Sequence, residues 1–130
     1  MHAIEKKPWG FKLTFGETIL DDEMKNWAKE SQHALVGATG KFGVFVDMRT
    51  LKPLAPEVQN TMVGGQQLYK RAGMERSVVI LNSMAVTLQF KRLAKDSGIY
   101  QWERYIDAST KHNWEQAGID WLTKGTDPDK

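Results

Sequence analysis

The chain has no cysteine, which excludes disulfides, thiol nucleophiles and thiolate metal sites and fits a reducing compartment. Only four of its 130 residues are proline, and no Pro-, Gly- or Ser-rich tract reads as a linker. No apolar run approaches the ~18 residues that a membrane span needs. The stretch Met1-His2-Ala3-Ile4-Glu5-Lys6-Lys7-Pro8 lacks the apolar core of a signal peptide, so a soluble, cytoplasmic protein is expected. An excess of one charge is missing too: 18 basic and 16 acidic side chains leave +2, too even to argue for nucleic acid. Internal repeats and low-complexity segments are absent. One domain is expected, with a core over about residues 9–124 and a polar tail over 125–130. A chain of this size buries roughly two-thirds of its unfolded surface, enough for a core without staples.

What is present is a short apolar run that ends in a carboxylate. Phe42-Gly43-Val44-Phe45-Val46-Asp47-Met48-Arg49 predicts a strand buried on both faces, and Ser77-Val78-Val79-Ile80-Leu81-Asn82 predicts another. Residues 9–15 alternate apolar with small or polar side chains. They predict an edge strand stopped by Gly16, the expected antiparallel exception. A last short strand is expected over Glu103–Asp107. The first helix opens with Thr18 as cap and Asp21 as capping-box carboxylate. Its apolar stripe is Leu20, Met24, Trp27, Ala28 and Leu35. The second runs from Pro56 to Ala72 and stops at Gly73, with Val58, Met62, Gly65, Tyr69 and Ala72 inward. Gly64 and Gly65 each cost about 1 kcal/mol against alanine in its interior, which predicts close backbone approach to the sheet or to a partner. A third helix over residues 84–96 is capped by Asn82 or Ser83 and turns Val86, Phe90, Leu93 and Ala94 inward. A fourth starts near Thr110 or His112 and carries Trp114, Ala117, Gly118, Trp121 and Leu122. The order β-α-β-α-β-α-β-α predicts an α/β domain: a mostly parallel four-stranded sheet, right-handed crossovers, and a covering of helices.

Motifs for chemistry are scarce. Gly37-Ala38-Thr39-Gly40-Lys41-Phe42 has neither the spacing, the following hydroxyl nor the following helix of a phosphate loop, and no Gly-x-Gly-x-x-Gly occurs. His2, His33 and His112 form no close ligand pair, so no metal is expected. Ser83 lies between a strand and a helix but lacks the glycines and base of a nucleophile elbow, and reads as an N-cap. No catalytic residue and no cofactor are therefore expected. Asp47 ends the central strand at the carboxyl edge, where open α/β sheets bind ligands. It equally suits bonding to loop amides or to Arg49. Of five tryptophans, Trp27, Trp114 and Trp121 sit on helix stripes. Tyr100, Trp102 and Tyr105 crowd a segment too short to bury them all. They either line a pocket or contact surface or pack against the third helix. Leu88 falls off its helix stripe. Lys91, Arg92 and Lys95, with Lys70, Arg71 and Arg76, make a basic face broken by Glu75, Asp96 and Glu103. A solvated face is the plain reading, and anionic headgroups are a secondary one.

Val44-Phe45-Val46-Asp47-Met48-Arg49 followed by Pro53-Leu54-Ala55-Pro56-Glu57 resembles the strand, loop and helix start of the SpoIIAA-like proteins. The resemblance continues through Ala72-Gly73, Val78-Val79-Ile80, Leu88-Gln89-Phe90-Lys91-Arg92-Leu93, Gly98-Ile99-Tyr100 and Trp102-Glu103-Arg104 to Trp121-Leu122. The Gln89–Arg92 spacing, with Gly98 and Trp102-Glu103, is its most specific part. That family is grouped with STAS domains, the fold of anti-sigma-factor antagonists, and is similar to CRAL-TRIO lipid-transfer domains. The resemblance implies a non-catalytic α/β domain with one of two roles. One is binding of a small apolar or lipid-like ligand, with peripheral membrane contact. Asp47, Leu88, Tyr100 and Trp102 are the candidate ligand residues. The other is a regulatory module that docks a protein partner. The phosphorylated serine of STAS antagonists falls here at Ala55/Pro56, which leaves only the nearby Thr50 as a hydroxyl. Gln89 and Arg92 stay open between functional and structural roles, and a homo-oligomer is compatible with either reading.

Overall fold

The computed structural model describes residues 1–130. In chain order its elements are β1 (His2–Lys7), β2 (Gly10–Glu17), α1 (Asp21–Leu35), β3 (Phe42–Leu51), α2 (Pro56–Ala72), β4 (Met74–Leu81), α3 (Met84–Ser97), a 3-10 turn (Tyr100–Trp102), β5 (Glu103–Asp107) and α4 (Trp114–Lys124). The strands form one sheet in the order β1-β2-β3-β4-β5. The two apolar runs pair in parallel at its centre, Val46 against Val79 and Val44 against Ser77.

The sheet has five strands rather than four. The extra one, β1, is the antiparallel member, and β2 runs parallel to β3. The strand over residues 9–15 is thus neither at the edge nor the antiparallel exception, and it continues through Gly16 to Glu17. β1 escapes a pattern search because its side chains are mostly polar: edge pairing needs only its backbone. Two carboxylates of α1 secure it, with His2 Nδ1 2.7 Å from Glu23 and Nε2 2.5 Å from Glu30. Burial favours the neutral ring, but the two carboxylates outweigh it and raise the His2 pKa. Gly10 opens β2 at φ +150°, where a Cβ would lie 1.9 Å from the Gly43 carbonyl oxygen. Only glycine allows that approach.

A parallel order that never reverses, with right-handed crossovers, puts every crossover helix on the same face. The packing follows. Phe11, Leu13 and Phe15 of β2, Val44, Val46 and Met48 of β3, and Val79 and Leu81 of β4 join α1, α2 and α3 in the larger core. The alternate residues Phe45, Val78, Ile80 and Ile106 face the other way and meet Trp121 and Leu122 of α4. Both faces of β3 and β4 are therefore buried, as continuous apolar runs require.

α2 keeps its sequence-predicted bounds, with Pro56 in its first turn and Gly73 as the C-cap. Ser83 caps α3 by accepting a hydrogen bond from the Val86 amide. The start of α1 differs from expectation. The helix begins at Asp21, its N-cap Leu20 is 69% exposed instead of joining the stripe, and no capping box forms. A tertiary partner takes the carboxylate: Thr61 Oγ1 of α2 donates to Asp21 Oδ1 at 2.6 Å. α4 begins later than expected, at Trp114, and that tryptophan is only half-buried.

Trp27 anchors the larger core. It stacks on Tyr69 at 5.8 Å between centroids and 8° between planes, and meets Phe15 edge-on at 5.1 Å. Gly65 makes room for it: a Cβ there would come within 2.1 Å of the indole. The close approach expected from its cost in a helix occurs, but to the Trp27 side chain of α1 rather than to the sheet or a partner. Gly64 has nothing within 4 Å of its missing Cβ, and no contact explains it. Gly65→Ala should therefore destabilise the domain by about 3 kcal/mol through overpacking, whereas Gly64→Ala should stabilise it slightly. Urea unfolding of both variants checks this contrast; equal effects would contradict it.

Candidate functional site

Asp47 sits on the α4 face of β3, in line with Phe45, and its carboxylate is fully engaged. Arg49 grips it twice, Nε to Oδ1 at 3.0 Å and Nη2 to Oδ2 at 2.9 Å, and the Arg49 amide donates to Oδ1 at 3.1 Å. Burial pushes the Asp47 pKa up, but these Arg49 contacts outweigh it and the net shift is downward. The guanidinium in turn lies 4.3 Å from the Trp114 ring centroid, a cation–π contact that ties β3 to α4. Thr50 lies exposed near the end of β3.

Gln89 and Arg92 act as a brace. Gln89 pairs with the Leu54 backbone like a neighbouring strand: Leu54 N donates to Oε1 at 2.8 Å and Nε2 donates to Leu54 O at 2.9 Å. Gln59 Nε2 also donates to Leu54 O, and Arg92 bonds Gln59. The β3–α2 loop is thereby fixed to α3. Beside the brace, Lys52, Pro53 and Ala55 of the loop and Pro56 at the start of α2 are exposed, as are Met84, Ala85 and Leu88 of α3. Leu88 is 61% exposed and Met84 75%. These residues make a mixed but largely apolar surface at the carboxyl edge of the sheet.

Tyr100 and Trp102 lie at the opposite end, in the 3-10 turn between α3 and β5. Trp102 is 53% exposed, and Lys95 Nζ lies 4.8 Å from the Tyr100 centroid. The fold thus brings Tyr100 and Trp102 together, sets Leu88 on the outer face of α3, and places Asp47 on the far side of the sheet. The four form no common pocket.

An apolar cavity does exist, within the larger core. Its volume is about 30 Å³, and Trp27, Met62, Tyr69, Phe90 and Ile99 are among its walls. That is room for about one water. Glu103 is its carboxylic acid, buried at the start of β5. Ser77 Oγ donates to its Oε1 at 2.8 Å and the Tyr105 hydroxyl to its Oε2 at 2.6 Å. Burial pushes its pKa up to about 7, against the pull of those two hydrogen bonds. Burial and the adjacent carboxylate likewise raise the pKa of Tyr105. Burial also lifts Tyr69 to about 12, offset in part by Ser31, whose Oγ is 2.8 Å from the phenol oxygen. The Trp27 indole favours the phenolate slightly, yet its Nε1–H reaches no hydrogen-bond acceptor.

The sequence pattern held a faint sign of this cluster. Glu103 and Tyr105 share one face of a strand by period two, and Ser77 is the register partner of Glu103. By composition alone Glu103 reads only as an acid that breaks a basic face. No three His, Asp or Glu side chains gather into a group able to hold a metal ion. No helix is long and apolar enough to cross a membrane. No protein-family model matches the sequence, and no curated protein matches it.

Glu103 makes stability depend on pH in a stated direction. An acid whose folded pKa lies above its unfolded value of 4.5 binds its proton more tightly when folded. Its contribution is fully present below about pH 4.5 and is lost as pH rises to about 7, a change of about 3 kcal/mol. Glu103→Gln should therefore gain stability relative to the wild type across that interval and hold the gain above it. Urea unfolding of both proteins from pH 4.5 to 8 measures the difference; parallel profiles would contradict the assignment.

Proposed function

We propose that this protein is a STAS-like domain of the SpoIIAA-like kind that carries out no reaction of its own and acts in the cytoplasm by docking a protein partner. What supports the family reading is the β/α order after an antiparallel first strand, with the strands in sequence order, together with the sequence resemblance. What supports docking is the carboxyl-edge surface. The Gln89 brace holds the β3–α2 loop rigid against α3, and exposed Met84 and Leu88 stand beside it. A fixed loop next to unpartnered apolar side chains suits a partner better than it suits solvent. Thr50 borders this surface as the remaining hydroxyl for modification.

Binding of a small apolar ligand is the second reading. The lining of the interior cavity favours it. The volume of about 30 Å³ requires α1 or α2 to move before anything larger than a water enters.

A photo-cross-linking amino acid at position 88, compared with one at Gln116 on α4, tests the docking reading in living cells. Position 88 should yield one dominant protein adduct, and a further Met84→Glu change should reduce that adduct at least fivefold. Equal labelling from both positions, or none from position 88, would refute it.

A further inference from the structure

Along most of the sheet, successive carboxyl ends lead to helices on the same face. β2, β3 and β4 lead to α1, α2 and α3, all in the larger core. β5 alone leads to α4 on the opposite face. The connections from β4 and β5 therefore diverge. In open α/β sheets such a divergence leaves a crevice outside the carboxyl ends of the two strands, and ligands bind there. A cleft of about 390 Å³ opens at that point, between Leu81, Asn82 and Ser83 at the end of β4, Ile106 and Asp107 of β5, and the near side of α3. Its volume is in the range of small-molecule sites.

The cleft has two chemically distinct parts. Its apolar wall on the α3 side is Leu81, Met84 and Tyr105, while Ile106 turns to the α4 face. Its polar wall comes from Ser83, Thr87 and Lys91, which follow one another at i, i+4 and i+8 along one side of α3. Lys91 is its cation. Its Nζ lies 5.5 Å from the Tyr105 centroid. The lysines in ion pairs are Lys7, Lys25, Lys41 and Lys124, so Lys91 forms no ion pair, although Glu103 and Asp129 line an adjoining hollow with it. Asp107 closes the far rim. Its Oδ1 already accepts from Ser109 N at 2.9 Å and Ser109 Oγ at 2.6 Å, and its charge confines an anion to the Lys91 end.

We propose that this cleft binds a small amphipathic anion, with a carboxylate or phosphate-ester group on Lys91 and an apolar substituent against Leu81, Met84 and Tyr105. The proposal goes beyond partner docking and does not depend on it. The docking surface uses the outer and α2-facing sides of α3, and only Met84 borders both.

The full chain, labelled for amide NMR, is titrated separately with hexanoate, butyl phosphate and inorganic phosphate. Saturable shifts confined to residues 81–91 and 105–109 are expected with hexanoate, butyl phosphate or both, and the one that binds names the acid group. Inorganic phosphate, which has no apolar part, should bind at least tenfold more weakly. Lys91→Gln should weaken binding about tenfold, and Lys95→Gln should leave it unchanged. Lys95 is exposed and Lys91 half-buried against Tyr105, and an amide spectrum of each variant with wild-type dispersion confirms its fold before titration. No saturable shift with either organic anion would overturn the proposal, as would binding that Lys91→Gln does not affect.

Discussion

β3 and β4 have no face to give to water. Each alternates between two sets of apolar side chains, and a strand of this kind is stable only when both sets are covered. Val44, Val46 and Val79 need the α1–α3 layer; Phe45, Val78 and Ile80 need α4. The monotonic strand order supplies the first layer automatically, because every right-handed crossover falls on that side. It cannot supply the second. α4 meets that need after β5 by crossing to the other face, where it packs on β3, β4 and β5. The polar contacts around it serve the same end. Arg49 joins Asp47 to Trp114, Trp121 Nε1 donates to Ser77 O at 2.9 Å, and Arg104 lies over Trp121 while bonding Asp127.

Much of this was legible from residues alone. Pro56 and Gly73 mark α2 because one lacks an amide donor and the other accepts positive φ, both local facts. Ser83 and Gly98 mark α3 in the same way. The continuous apolar character of β3 and β4 announced two-sided burial. What could not be read depends on partners distant in sequence. Asp21 looked like a capping carboxylate, but Thr61, forty residues on, takes it. β1 has little apolar signal because β2 offers it a backbone edge. Leu20 looked inward by period, yet the helix starts one residue after it.

The candidate sites divide along the same line. In sequence Asp47 reads as a carboxylate at the carboxyl edge, open to ligand contact, loop amides or pairing with Arg49. The observed bidentate grip accounts for the residue structurally. Gln89 and Arg92 are also accounted for, as the brace on Leu54 and Gln59. The β4–β5 cleft was not legible, because it arises from the sides on which two connections run. Lys91 looks like any other lysine on a solvated face until β5 is placed beside it. Glu103 likewise acquires its raised pKa only from burial beside the interior cavity, against the pull of the Ser77 hydroxyl that the strand register sets opposite it.

Native-state hydrogen exchange resolves whether the doubly buried pair governs the fold. Amides of Val44, Phe45 and Val46 in β3 and of Val78, Val79 and Ile80 in β4 should exchange only through global unfolding, while those of β1 open locally at lower free energy. Exchange of the β3 and β4 amides through local opening, at free energies no higher than those of β1, would contradict an architecture built outward from these two strands.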